Sequence, residues 1–235
     1  LGQSIRAFGL ALVAALALAA LTAGSASALS FAPYKATLPV PFTSKGSAVE
    51  VRVKSEMPRS CAGGSSSGNF LTSTSGEVKF TYTGCVYHSL GGSSGTACTT
   101  PGQASGTIVT SNLTFKLVYL DAAKTKYGLL LTPPGGGPFT YPIFAEAQCS
   151  GFGKETWKGE LIGQITSPAL GAAPSTAFTL NFSSMETNQD FRLVEGTGVE
   201  HRLVHDTSWN GVTNNPMAVV QAHQATLSAA GQFLP

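Results

Sequence analysis

The sequence predicts an all-β protein, an antiparallel β-sandwich with a β-barrel as the alternative, built of about ten strands and stapled by two disulfides. Three observations predict it. Apolar and polar residues alternate with a period of two in one segment after another, as half-buried strands require. Gly-, Ser- and Pro-rich runs punctuate those segments at short intervals, as tight turns do. Four cysteines, an even number, stand in a chain whose N-terminus reads as an export signal. Charged residues are only 11% of the chain, while 43% is hydrophobic and thirteen residues are Phe. That is enough apolar surface for a core, so disorder is excluded. The net charge of +2 is scattered and forms no stripe that could track phosphates, which argues against nucleic acid.

Residues 1–28 are predicted to be a signal peptide and 29–235 a single exported domain. "LGQSIRAF" carries one positive charge, "LALVAALALAALTAG" is a short apolar run, and Ala26-Ser27-Ala28 forms an A-x-A cleavage site. An uncleaved anchor is the competing reading. In the mature part, "AVEVRVK" sets Val49, Val51 and Val53 against Glu50, Arg52 and Lys54. "VKFTYT" aligns Val78, Phe80 and Tyr82 on one face, and "LTFKLVYL" aligns Leu113, Phe115, Leu117 and Tyr119. "WKGELIGQI" reads as one strand carrying Trp157, Leu161 and Ile165, and "FTLNF" as another with Phe178, Leu180 and Phe182. Shorter candidates are "TIVT", "YGLLL", "FRLV" and "VEHRLV". The run around "VVQAHQATL" reads as a late strand, although its Ala, Met and Gln also suit a helix. "GGSSSG", "LGGSSG", "TPPGGGP", "SPALG", "EGTG" and "WNGVTNNP" read as turns. Strands with one buried face imply two packed sheets or a closed sheet.

Outside the cytoplasm thiols oxidise, so Cys61, Cys85, Cys98 and Cys149 are expected in two disulfides. Of three connectivities, Cys85–Cys98 with Cys61–Cys149 is preferred, because the short loop closes most easily. "CVYHSLGGSSGTAC" would then be a stapled, exposed loop offering Tyr87 and His88 as a contact surface.

Each chemical motif has a plainer competitor. Gly91-Gly92-Ser93-Ser94-Gly95 and Gly64-Ser65-Ser66-Ser67-Gly68 both match G-x-S-x-G, but a nucleophile elbow needs a strand, a turn and a helix. Two matches in Gly/Ser-rich sequence are what composition produces. Cys85, His88 and Cys98 lack the close paired spacing of structural zinc sites. His201, His205 and Asp206 in "EHRLVHD" are the better metal candidate, with both imidazoles on one face if the segment is helical. On a strand those histidines stand about 13 Å apart, too far for one ion. Glu155 and Glu160 differ by five residues, so on one strand they would point oppositely and form no glycosidase pair. Trp157, Tyr141 and Trp209 could stack on sugars but fit a core as well.

The order of these features resembles a group of secreted actinobacterial proteins of unassigned function, with a signal peptide, an all-β body and four cysteines. The likeness rests on "FTYTGC", "ACTTPGQASGTIVTSNLTFKLVYL", "YGLLLTP", the stretch ending at Cys149, "WKGELIGQITSP" and "FTLNF". It covers residues 60–194. The resemblance implies export, a disulfide framework and one β domain, and it carries no catalytic residue. The leading expectation is an exported, non-enzymatic structural or binding protein of the cell envelope or its surroundings, without a cofactor. Its partner would be an envelope component or an extracellular polymer or protein. A secreted hydrolase of polysaccharide or lipid is the alternative.

Overall fold

The computed structural model describes residues 32–54, 58–88, 95–135, 141–185, 188–190, 193–194, 198–208, 211 and 213–235. The expected signal peptide, residues 89–94 with Ser93 of the Gly91–Gly95 match, and Trp209 lie outside them. Among the described residues every regular element is a strand. In chain order these are β1 (Tyr34–Lys35), β2 (Val40–Gly46), β3 (Val49–Val53), β4 (Arg59–Cys61), β5 (Gly63–Phe70), β6 (Ser75–Thr83) and β7 (Val86–Tyr87). Then come β8 (Thr96–Thr99), β9 (Ile108–Val109), β10 (Leu113–Tyr119), β11 (Tyr127–Thr132), β12 (Ile143–Cys149) and β13 (Gly153–Gly159). The rest are β14 (Leu161–Ser167), β15 (Ser175–Phe182), β16 (Ser184–Met185), β17 (Asn188–Gln189), β18 (Leu203–Thr207) and β19 (Asn215–Phe233).

Strand pairing closes the sheet rather than leaving two open layers, so the all-β prediction takes its barrel form. It closes twice. One ring runs β2–β5–β6–β10–β11–β14–β15–β19 and returns to β2, antiparallel throughout. The other runs β3–β4–β7–β8–β12–β13–β18–β19 and returns to β3. β19 belongs to both: residues 215–220 pair in the second ring and 221–231 in the first. The chain also passes between rings from β2 to β3, β4 to β5, β6 to β7, β8 to β10, β11 to β12, β13 to β14 and β15 to β18. Closure leaves neither ring a free edge.

Alternation fills each ring with one set of side chains. The first, here the aromatic barrel, packs Phe70 against Tyr34, Phe42, Phe115, Phe178 and Phe233, with ring centroids 4.4–6.2 Å apart. β1 pairs with the end of β19, bringing Tyr34 opposite Phe233. The second, here the disulfide barrel, is lined by smaller residues such as Val49, Val51, Ala145 and Ala147, with Trp157 as its largest apolar side chain. A small satellite core of Val118, Leu130, Ile162 and Val194 packs separately.

Two local readings change, and the late run left between strand and helix is settled as strand. "WKGELIGQI" is two strands: β13 ends at Gly159, whose φ of +96° and lack of a Cβ let the Arg202 carbonyl approach. β14 then begins in the other barrel, so Trp157 and Leu161 line different interiors. "VVQAHQATL" is strand, because Gln221, His223, Ala225 and Leu227 alternate inward over a strand of 19 residues. "GGSSSG" is not a turn but most of β5. Its inward Gly64 and Gly68 admit Gln221, Tyr82 and Phe42, where a Cβ would come within 3.1 Å or less of those side chains. Turn composition and a strand facing bulky neighbours look alike from sequence.

Two disulfides form as expected, but the preferred pairing is wrong: the bonds are Cys61–Cys85 and Cys98–Cys149. The four cysteines stand in a row across β4, the β6–β7 junction, β8 and β12. Cys85 and Cys98 are neighbours in that row, the Cys98 N–H donating to the Cys85 carbonyl at 3.0 Å, but each is bonded to the cysteine on its other side. The bridged pairs have Cα separations of 3.9 and 4.0 Å. Cys61 and Cys149 end the row, three strand spacings or about 14 Å apart, beyond disulfide reach. Loop length governed the prediction; sheet register decides the bond.

Candidate functional site

The titratable groups that sequence offers to catalysis are mostly inside the barrels. In the disulfide barrel, inward Glu155 and Trp157 lie two residues apart on β13, and His205 stands opposite Trp157 on β18. Arg59 Nε donates to Glu155 Oε2 at 3.1 Å, and Trp157 Nε1 donates to Oε1 at 3.1 Å. His205 Nε2 lies 3.5 Å from Glu155 Oε2 and 3.4 Å from the Arg59 guanidinium. Protonated, it faces the carboxylate; neutral, it accepts from the arginine. Arg59 also sits 4.8 Å over the Tyr87 ring. Arg59 and Glu155 are each 2% exposed. Burial raises the Glu155 pKa, but the His205 hydrogen bond, the charges of Arg59 and His205 and the Trp157 hydrogen bond outweigh it, so the carboxyl ends below its ordinary value. The cluster is a buried ion pair whose two carboxylate oxygens both accept hydrogen bonds, which is how a buried charge is tolerated.

The aromatic barrel holds a second polar chain. Gln221 Nε2 donates to the Ser47 carbonyl at 2.7 Å, which aims its Oε1 at His223 Nε2, 2.6 Å away. That oxygen only accepts, so His223 carries its proton on Nε2. Nδ1 then accepts from Ser44 Oγ at 2.8 Å, and Ser44 in turn accepts from Ser66 at 2.7 Å. Desolvation lowers the His223 pKa to about 4, so the imidazole is neutral. Serine, base and orienting group thus stand in the order a nucleophile needs. However, the cavity beside them measures about 10 Å³, room for about one water and for no substrate. Sequence reasoning passed over this chain, although the inward alternation of Gln221 and His223 was its available signal.

The metal candidates are placed apart. His205 points into the disulfide barrel, while Asp206 faces outward, paired with Lys158 and accepting from the Asn214 N–H at 2.6 Å. Burial raises the Asp206 pKa, but the hydrogen bonds from Lys158 and the Asn214 N–H hold it below the usual range. His201 precedes β18 and bonds through Nδ1 to Glu160 Oε2, whose other oxygen accepts from Thr132 at 2.9 Å. The described residues with potential ligand atoms close together are Cys98, Cys149 and Glu155, and there both sulfurs are consumed by the disulfide. Tyr87, expected as a contact residue, is buried against Arg59 and Phe152, because β7 continues β6 instead of leaving the sheet as a loop. His88 is half-buried, its Nε2 2.8 Å from Ser60 Oγ. Glu155 bonds to Arg59 and Trp157, and Glu160 to Thr132 and His201, so the two form no pair. Trp157 is core, and Tyr141 is half-buried beside Gly159.

Open polar concavity lies instead on the outside of the aromatic barrel. The outward residues of β5 are Ser65, Ser67 and Asn69, all short, between the longer outward side chains of β2 and β6. The result is a trough along β5. One part, about 450 Å³, is lined by Thr43, Ser67, Asn69, Glu77, Lys79 and Asn112 among others. The adjoining part, about 310 Å³, has Lys45, Ser65 and Thr81 and shares Thr43, Ser67 and Lys79. Reading "GGSSSG" as a turn concealed this feature.

No family model matches the chain, and no curated protein matches it.

Proposed function

We propose that this chain is an exported, non-enzymatic binding protein of the cell envelope or the extracellular surroundings, and that its barrels are scaffold. The observation carrying this reading is a segregation. The Glu155–Arg59–His205 and Ser44–His223–Gln221 groups are packed inside and hydrogen-bonded among themselves, while the open polar concavity faces outward on the sheet. Two disulfides fit an oxidising compartment, and no described helix is long and apolar enough to cross a membrane. Export adds the signal-peptide pattern of residues 1–28 to those observations.

The test incubates the exported chain with an insoluble envelope fraction and, separately, with polysaccharide and ester polymers. Retention on the fraction without turnover is expected. Turnover that disappears in Ser44→Ala or Glu155→Gln, with folding intact, would overturn the reading in favour of a secreted hydrolase.

A further inference from the structure

The serines of β5 are not explained by packing. Its inward glycines are dictated by Gln221, Tyr82 and Phe42, but the outward positions 65 and 67 face solvent and would hold any strand former. Thr, Val or Tyr there would suit a strand better than Ser. Short side chains at those two places cost strand propensity and leave a trough running about 20 Å along the strand.

Its banks carry one dominant sign of charge. Lys45 lies beside Ser65 on β2, and Lys79 lies beside Ser67 on β6, diagonally across the trough with their Cα atoms about 12 Å apart. Among the described residues neither ammonium has a carboxylate partner, whereas Lys154 and Lys158 are paired with Glu146 and Asp206. The acid of the trough, Glu77, stands toward one end and accepts from Asn69 at 3.2 Å. Hydroxyls of Thr43, Ser65, Ser67 and Thr81 fill the space between.

We infer that the trough binds an extended acidic polysaccharide, its anionic groups on Lys45 and Lys79 and its hydroxyls on the Ser/Thr rows. This rests on the binding-protein reading above. The chemistry separates this ligand from others. Among the described residues lining the trough the aromatic ring is Phe42, which is buried, so they offer neither stacked neutral sugars nor single-stranded nucleic acid a platform. β2, β5 and β6 are each paired on both sides, so a peptide has no edge to join.

Calorimetry of the full chain against three probes tests it: a uronic-acid oligomer, a phosphate-bearing mannan and a neutral malto-oligomer. Binding of one or both acidic probes and not the neutral one is expected, and which acidic probe binds identifies the anion. Lys45→Gln and Lys79→Gln should each weaken it about five- to tenfold. Raising salt from about 0.02 to about 0.2 M should weaken it further, because exposed charges are screened. Ser67→Tyr should abolish binding while leaving the melting temperature unchanged or higher, which a purely structural serine would not do. No binding of either acidic probe, equal binding of the neutral one, or an unchanged Kd in Ser67→Tyr overturns the proposal. If Ser67→Tyr leaves retention on the envelope fraction intact, this assignment fails and the binding-protein reading stands. If the unaltered chain is not retained at all, both fail.

Discussion

In the aromatic barrel, inward positions hold Phe42, Phe70, Phe80, Phe115, Phe178 and Phe182, and the polar groups among them form a neutral chain ending on a backbone carbonyl. In the disulfide barrel, neighbouring positions on the same chain hold valines, alanines and cystines around an ionised Arg59–Glu155 pair. One strand, β19, serves both interiors. The difference shows that ring closure does not dictate the filling. Large apolar side chains dominate one interior; the other combines smaller residues with two disulfides and a buried charge pair.

The comparison can be broken most severely at the ion pair. Glu155→Ala leaves the Arg59 charge buried without its counter-charge and should cost about 3–5 kcal/mol. The double replacement Arg59→Met, Glu155→Leu should cost much less than the sum of the single changes, since a well-packed apolar pair removes both desolvation penalties. Urea denaturation of the unaltered chain, Glu155→Ala, Arg59→Met, Glu155→Leu and the double variant checks both statements. Replacing Cys61 and Cys85 by Ala should remove about 3.5 kcal/mol and replacing Cys98 and Cys149 about 4, from their sequence separations of 24 and 51 residues. Unfolding of reduced and oxidised protein provides the same comparison without mutation.

The aromatic barrel should instead respond to pH through His223. Its folded pKa of about 4 lies below the roughly 6.5 of an unfolded histidine, so the unfolded chain binds more protons between those values. The stabilisation is complete above about pH 6.5 and is lost as pH falls through about 4, with a ceiling of about 3 kcal/mol. Denaturation midpoints at about pH 7 and about pH 4.5 should converge in His223→Phe relative to the unaltered chain. The smallest effect is outside: Ser67→Thr should add a few tenths of a kcal/mol, as strand propensity alone predicts.

Alternation made most strands legible: Val78, Phe80 and Tyr82, or Leu113, Phe115 and Leu117, are buried as read. Closure into two rings was not legible, because pairing of β8 with β12 or β13 with β18 is a long-range fact that no local pattern encodes. The disulfide pairing failed for the same reason. β5 failed for another: its glycines answer to Gln221, Tyr82 and Phe42, residues remote in sequence. Of the candidate site residues, His205 and Glu155 were visible individually, but their meeting with Arg59 depends on ring closure. The trough depended on recognising a strand in Gly/Ser-rich sequence.

The central claim is that the interior groups are structural and the outer face of the aromatic barrel does the binding. The most direct measurement is retention on the envelope fraction by two variants, Arg59→Met with Glu155→Leu and Ser67→Tyr, both checked as folded. The account predicts that the first, with its buried charges gone, is retained like the unaltered chain, and that the second, equally folded, is not. Loss of retention in the core variant with full retention in Ser67→Tyr would contradict it.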